Sequence, residues 1–273
     1  HFYKNDKHKT MSHPYQLHKI PRSRIATFDV FHTGMQKHHV SALLEFDVTN
    51  ARKKLRELKR KGNKVSFTAW LIKSIAQTLD ANPHASAFLY SKRALITFSS
   101  INVSIVVEKS IKGQRVPIPL VITQANNKSI AQIAQEIADA QQVVLTAKDV
   151  VINSNTSFLE KLYYSLPQFL RRAFWQFMLN HPKYAYSKMG NVAVTSLSAM
   201  GTINGWFIHK SVHPISFGVG SIVKKPLVVD NAIQIREVLN ITMLLDHDVI
   251  DGAPMARFVK DLAKRIESAS ELL

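Results

Sequence analysis

The sequence predicts an α+β fold built around a large mixed β-sheet. Helix-like and strand-like segments are interleaved without the regular alternation of a βαβ protein. The chain has 273 residues, which is ample for a sizeable core, and its apolar content of 46% excludes wholesale disorder. From residue 191 onward strand-like patterns predominate, and the longest covers residues 233–245.

The first half of the chain begins with a strand followed by two helices. Residues 40–48 are apolar and small and predict a strand. Thr49 is predicted to be the N-cap of a basic helix that Gly62 ends. Ser66 begins a second helix, in which apolar residues keep a helical period and which Pro83 ends.

Three strands and one helix are predicted for the middle of the chain. Residues 94–98 and 101–107 have the composition of strands. Residues 116–122 form an extended stretch with two prolines, which suits a sheet edge because proline cannot donate a ladder hydrogen bond. Residues 129–144 predict a helix.

Residues 157–182 differ from the rest of the chain because aromatic and basic side chains alternate around Pro167. Proline breaks or kinks a helix, so a pair of amphipathic helices packed on the core is the favoured interpretation. A sharper hypothesis is a basic aromatic surface that contacts a membrane or covers an apolar acyl chain.

The C-terminal part of the chain predicts three strands and a final helix. Residues 191–197, 215–223 and 233–245 have strand patterns, and the last of these is long. A turn ending at Gly252 follows, and residues 253–273 predict a helix.

The charge of the chain is strongly positive, with 36 Lys and Arg against 19 Asp and Glu and a formal net charge of +17. Such an excess attracts nucleic acids, acidic membranes or phosphorylated small molecules. No GxGxxG or GxxxxGK[ST] loop is present, which disfavours nucleotide-binding and kinase functions. No nucleic-acid-binding motif is present, so a nucleic-acid partner is the least favoured. The absence of Cys excludes disulfides and thiol nucleophiles, and no metal site is expected.

The domain organisation is predicted to be simple. Residues 1–19 are rich in His and Lys and predict a flexible arm, while residues 20–273 form a single domain with an insert at about 150–190. No apolar segment has the length of a membrane span or the pattern of a signal peptide. We therefore expect a cytoplasmic protein, with contact to a membrane surface as the alternative for 157–182.

His247 is the most informative candidate for chemistry. It follows the long strand directly, where a rigid element can hold it at a site, and Asp251 and Gly252 come four and five residues later. An imidazole near neutral pKa can remove a proton from a thiol or hydroxyl.

The segment DHDVIDGAPMARFVKDLAKRIESASELL resembles the C-terminal signature of the 2-oxoacid dehydrogenase acyltransferase catalytic domain, the core of dihydrolipoyl acyltransferases. The shared pattern is H-x-x-x-D-G. The resemblance continues in order over about residues 20–273, through segments 66–83, 101–122, 126–140, 192–201 and 217–229. It implies a chloramphenicol acetyltransferase-like two-layer fold with a large mixed sheet flanked by helices, and it implies acyl transfer.

The resemblance also implies roles for the residues of the C-terminal motif. His247 would be the general base that deprotonates the acceptor, and Asp251 would be a chiefly structural member of the catalytic motif, paired with an arginine. Arg24 is the candidate partner by position, together with Arg22. Gly252 would be structural.

Three further residues take their expected roles from the resemblance. Thr195 falls where the family has a serine whose hydroxyl binds the oxyanion, and Ser196 is the alternative if the alignment slips by one residue. His39 matches a histidine before the first strand and is a candidate for substrate binding. Two positions depart from the family: Asp248 replaces the arginine after the catalytic histidine, and Ser198 replaces a glycine. A carboxylate beside the base favours imidazolium.

The resemblance implies coenzyme A thioester as a co-substrate, with no tightly bound cofactor. It further implies a homotrimer, with a larger cage open, and active sites between neighbouring subunits. The 273 residues contain no lipoyl domain, so we expect a stand-alone acyltransferase that uses acyl-CoA and an unidentified acceptor. The alternatives are a dihydrolipoyl acyltransferase core that serves a lipoyl carrier on another chain, and a non-catalytic trimeric scaffold or binding protein.

Overall fold

A computed structural model describes residues 16–20, 23–111, 114–142, 162–196 and 203–272. Most of the predicted arm and the first part of the predicted insert lie outside these ranges, as do Arg22 and Ser198.

A mixed sheet of six strands forms the centre of the fold, in the order β1-β8-β7-β6-β4-β5. The strands are β1 (His39–Asp47), β4 (Val103–Ile111), β5 (Gln114–Ile122), β6 (Val192–Ser196), β7 (Ile215–Val229) and β8 (Ala232–Asp246). The pairs β4–β6 and β6–β7 are parallel, and the other neighbours are antiparallel. The α+β prediction with a large mixed sheet is confirmed.

Seven α-helices of eight residues or more accompany the sheet in the described ranges. They are α1 (Ser23–Gly34), α2 (Thr49–Arg60), α3 (Phe67–Ala81), α4 (Ile130–Gln142), α5 (Gln168–Asn180), α6 (Pro182–Met189) and α7 (Gly252–Ser268). The core lies between one face of the sheet and the helices, where Trp70 of α3, Phe217 of β7 and Phe258 of α7 are fully buried. Alternate residues of β8, among them Met243 and Leu245, belong to this core, as strand geometry requires.

The predicted ends of the early helices are mostly correct. Ser66 caps α3, because its hydroxyl accepts a hydrogen bond from the backbone N–H of Ala69 at 3.1 Å. Gly62 follows the end of α2 with a positive φ of 82°. The prediction for Thr49 is wrong by one residue: Thr49 is the first helical residue, and its hydroxyl donates to Asp47 at 2.6 Å.

Two strand predictions differ in detail from the structure. The strand predicted at 94–98 is β3 (Ala94–Ile96), and it pairs with β2 (Phe88–Ser91) in a separate hairpin. The strand predicted at 215–223 continues to Val229, because it pairs with β8 along almost its whole length. The proline-containing strand lies at the sheet edge as β5, as predicted.

Helices α1 and α5 are joined by one buried carboxylate. Asp29 of α1 is 1% exposed and accepts hydrogen bonds from Arg171 Nε at 2.7 Å and from the Tyr163 hydroxyl at 2.9 Å. The Trp175 indole donates to the same Tyr163 oxygen at 3.0 Å. Pro167 immediately precedes α5, so the prediction of helices around this proline is confirmed for the described part of 157–182.

Replacing Arg171 with Met is expected to lower the free energy of unfolding by about 3 kcal/mol, because Asp29 is left buried without a cation. Urea unfolding followed by circular dichroism measures this. The double variant Asp29→Asn, Arg171→Met is the control, since it removes both charges and restores part of the loss. A double variant as unstable as Arg171→Met would show that packing, rather than the ion pair, holds α5 in place.

Candidate active site

His247 lies in the turn directly after β8. Its backbone N–H donates to the carbonyl oxygen of His38 at 3.0 Å, which continues the pairing of β8 with β1 by one residue. The side chain of His247 is exposed. The sheet therefore holds the backbone of this histidine while its ring remains accessible, which suits a general base.

Two ion pairs flank His247. On one side the Lys37 ammonium contacts the carboxylate of Asp246 at 2.5 Å, and Asp246 is 1% exposed. On the other side His38 Nδ1 contacts Asp248 at 2.9 Å, and both of these side chains are largely exposed. Residues 37 and 38 thus contact both chain neighbours of His247.

Asp248 therefore has its own partner. Its carboxylate is engaged by His38, whose carbonyl oxygen is the acceptor for the His247 N–H. The departure from the family pattern at Asp248 is accommodated by an imidazole that the sequence analysis did not single out. The run Lys37-His38-His39 could have indicated these partners, because it lies beside the end of β8, where His247 follows.

Asp251 and Gly252 mark the start of α7. Asp251 is the N-cap residue by backbone position, its carboxylate makes no capping hydrogen bond, and it is exposed. Arg24 is exposed on α1, and among the described residues it forms no ion pair with Asp251. A side chain at Gly252 would meet no atom within 4 Å, so the turn has no steric need for glycine here.

Thr195 is half-buried in β6, far from His247 in the same chain. Thr195 lies opposite Gly218 of β7, which lies opposite Thr242 of β8, five residues before His247. Two spacings between strands and five residues along the chain separate Thr195 from His247 by about 20 Å. One chain therefore does not bring the candidate base and the candidate oxyanion donor together.

A cavity of about 330 Å³ lies beside Ser196 on the helix side of the sheet. A register shift between Val219 and Ile222 forms a bulge in its wall. The interior is mostly apolar, and three basic side chains of α2 belong to the lining. The lining residues are Arg52, Leu55, Arg56, Lys59, Phe67, Thr68, Leu71, Val194, Ser196, Val219, Gly220, Ile222 and Leu239.

A second cavity, of about 340 Å³, lies beside Asp248. Helix α5, the segment after α1 and the β2–β3 hairpin form its walls. Gln36, Gln176 and Asn180 contribute three amide side chains, and Tyr90 contributes an aromatic ring. This cavity places a hydrogen-bonding wall next to the turn that carries His247.

His39, the first residue of β1, lies close to two other histidines, His209 and His213. Its Nε2–H donates to the backbone carbonyl of His213 at 2.9 Å, and burial lowers its pKa. His213 is fully enclosed, and burial lowers its pKa to about 4. Burial also lowers the pKa of His209, whose Nε2 bonds the Ser216 hydroxyl at 2.8 Å. Within the chain His39 thus anchors the start of β1.

Solved structures with the same fold belong to acyltransferase cores. The cubic core of the pyruvate dehydrogenase multienzyme complex aligns with a TM-score of 0.66 at 20% identity, over 94% of this chain and 95% of that one. Dihydrolipoamide acetyltransferase of Azotobacter vinelandii aligns with a TM-score of 0.67 at 19% identity, over 94% and 95% of the two chains. The chain thus has the fold of these acyltransferase cores.

The chain belongs to the 2-oxoacid dehydrogenases acyltransferase (catalytic domain) family, whose model matches residues 15–149 and 184–273. The family resemblance stated from the sequence is therefore confirmed. A similar curated protein is the dihydrolipoyllysine-residue acetyltransferase component of the pyruvate dehydrogenase complex of Mycoplasma genitalium, 26% identical over 210 residues. That alignment covers 77% of this chain and 45% of the relative. The chain spans about half the length of the curated relatives it matches.

Helix α5 lies wholly within the stretch that the family model leaves unmatched, between residues 149 and 184. The wall that α5 adds to the cavity beside Asp248 is therefore an addition to the part shared with the family. Within the described ranges, every helix is too short or too polar to span a lipid bilayer.

The two ion pairs beside His247 are expected to differ in strength. Lys37→Met should lower the free energy of unfolding by about 3 kcal/mol, because it leaves the buried Asp246 carboxylate unpaired. His38→Gln should change it by less than about 1 kcal/mol, because that pair is exposed. Urea unfolding of the two variants measures the contrast, and equal losses would contradict it.

His213 is expected to make the protein less stable in acid. The unfolded chain binds a proton near pH 6.5, whereas the folded chain binds it only near pH 4, so lowering the pH across this window favours unfolding. Between pH 7.5 and pH 5 this histidine should cost about 2 kcal/mol of stability. Urea unfolding of wild type and His213→Gln at both pH values tests this, because the variant should show a smaller drop. Parallel pH dependences would contradict the assignment.

Proposed function

We propose that the protein transfers an acyl group between coenzyme A and a thiol or hydroxyl acceptor, with His247 as the general base. The observation that supports this most directly is the position of His247. It follows the long strand β8 of an acyltransferase-family fold, its backbone is held by His38, and its ring is accessible. An imidazole in this setting can remove a proton at neutral pH.

The proposed reaction has two stages. His247 takes the proton from the acceptor while the acceptor sulfur or oxygen attacks the thioester carbonyl. The carbonyl oxygen becomes an oxyanion, which the Thr195 hydroxyl stabilises by donating a hydrogen bond. Collapse of the intermediate expels the CoA thiolate, and the imidazolium of His247 returns the proton to that sulfur.

The proposed site is formed between two copies of the chain. His247 and Thr195 are separated by about 20 Å within one chain, by the strand spacings and register between them. A neighbouring copy supplies the missing partner, so we propose the homotrimer of the sequence analysis. Association into a cage is a further proposal, supported by the similarity to a protein described as a cubic core.

The cavity beside Ser196 is the proposed site for coenzyme A, whose thioester end passes the end of β6 to reach Thr195 on the opposite face of the sheet. Its apolar interior suits the pantetheine arm, and Arg52, Arg56 and Lys59 suit the phosphates. Glu237 neutralises part of this charge, since it lies 3.4 Å from Arg52 and 3.7 Å from Arg56. Coenzyme A is a co-substrate in this proposal and not a resident cofactor.

A dihydrolipoyl group is the first acceptor to test, because the relatives are named for dihydrolipoyl transfer. The Azotobacter vinelandii structure was studied for catalytic roles of a serine, a histidine and an asparagine four residues after the histidine. Asp251 occupies this spacing from His247 here, which supports its inclusion in the motif. The cavity beside Asp248, with its three amides, is the proposed entrance for the acceptor.

His247→Ala is expected to lower kcat for transfer from acetyl-CoA to dihydrolipoamide by about 10²- to 10⁴-fold with little change in KM. Thr195→Val is expected to lower kcat by about 10²-fold, because it loses one oxyanion donor. Release of CoA thiol measures both. His84→Ala, on the exposed turn after α3, is the control and should keep full activity.

Mixing the two variants tests the split site. If His247 and Thr195 act from different copies, random co-assembly at equal amounts leaves both residues intact in about a quarter of the sites. Co-expressed His247→Ala and Thr195→Val chains should therefore regain about a quarter of wild-type activity. Activity no higher than that of either variant would overturn the split site. An inactive wild type that still forms trimers would favour the scaffold alternative.

A further inference from the structure

Helix α5 exposes a stripe of large apolar side chains. Phe169, Leu170, Phe174 and Phe177 recur at helical spacing on one face, and between 43% and 69% of each side chain is exposed. This stripe is distinct from the α5 residues Gln176 and Asn180, which line the cavity beside Asp248. One helix thus carries polar side chains that line the cavity and aromatic side chains that remain about half exposed to solvent.

Helix α1, which packs against α5 through Asp29, also exposes large aromatic side chains. Phe28 and Phe31 of α1 are about half exposed. At the far end of α5 the His181 ring stacks on Phe177 at 3.9 Å, and Tyr184 of α6 lies edge-on to the same ring. Exposed aromatic rings therefore occur on all three helices. Exposed apolar side chains that recur on packed helices are typical of an interaction surface.

The exposed charged side chains on these three helices are positive. Helices α1, α5 and α6 contain one acidic residue, Asp29, which is buried and paired with Arg171. Arg24, Lys183 and Lys188 are exposed on the same helices. The sequence from residue 161 to residue 229 contains no Asp or Glu and eight Lys and Arg. The aromatic face is therefore bordered by cations that no nearby acid of these helices neutralises.

We propose that the surface formed by α1, α5 and α6 docks the protein on an anionic lipid bilayer. Aromatic rings enter the boundary between headgroups and acyl chains, and lysine and arginine bind the lipid phosphates. The docking is peripheral, since the described helices do not span a bilayer. A two-fold contact between copies is the less suitable occupant, because it would place these cations against themselves. A ring contact pairs different surfaces, and sedimentation velocity distinguishes it below.

The test is co-sedimentation of the full chain with vesicles of phosphatidylglycerol and phosphatidylcholine, and with pure phosphatidylcholine vesicles. We expect binding to the anionic vesicles that weakens as salt rises, and at least tenfold weaker binding to the neutral ones. The triple variant Phe169→Ser, Phe174→Ser, Phe177→Ser should bind at least tenfold more weakly. Lys183→Gln with Lys188→Gln should reduce both the binding and its salt dependence.

The tip of the β7–β8 hairpin offers a matched control. Val228, Ile233 and Ile235 are 75% to 79% exposed, so their triple replacement by Ser removes comparable apolar surface elsewhere. This control should bind anionic vesicles like wild type. Absence of binding at low salt, or equal losses in both triple variants, would overturn the proposal. If the phenylalanine variant instead dissociates the oligomer in sedimentation velocity, the surface is an interface between copies, and the proposal fails. Acyl transfer to soluble dihydrolipoamide is measured separately, so either proposal can fail alone.

Discussion

The buried carboxylate of Asp246 is the constraint on which the geometry around His247 depends. A desolvated carboxylate needs a cation, and Lys37 supplies it from the segment before β1. The same residue accepts a backbone hydrogen bond from Asp248 at 3.3 Å, and its own N–H donates to Pro214 at 2.9 Å. The end of β8 is thereby tied to two other parts of the chain and to its own turn, and His247 has little freedom of backbone movement.

The sheet separates the two candidate catalytic side chains while holding each of them in place. Thr195 lies on β6 and His247 lies in the turn after β8. Strand β7, between them, is paired with both β6 and β8. A rearrangement that joined them within one chain would break the core between the sheet and the helices. Assembly of copies is the simpler solution, because it leaves every strand pairing intact.

The core of this fold and the candidate base His247 could be predicted from the sequence, because both depend on local sequence patterns. Period-two runs marked β7 and β8, and the H-x-x-x-D-G motif marked His247 and Asp251. Helix α1 was missed, since its apolar residues do not form a clear stripe and its stability comes from the contact of Asp29 with α5. Lys37 and His38 were missed as well, because their partners lie about 210 residues away in the chain.

Helix α5, which lies outside the family match, is held in place through Asp29 of α1. The Asp29 carboxylate of α1 accepts hydrogen bonds from Arg171 and Tyr163, and none of the strands of the central sheet takes part in these hydrogen bonds. A change in α5 therefore leaves the pairing of β6, β7 and β8 intact. The cavity wall and the exposed aromatic side chains that α5 carries can then vary independently of the turn that holds His247, which gives a protein engineer a site for exchanging one attached segment for another.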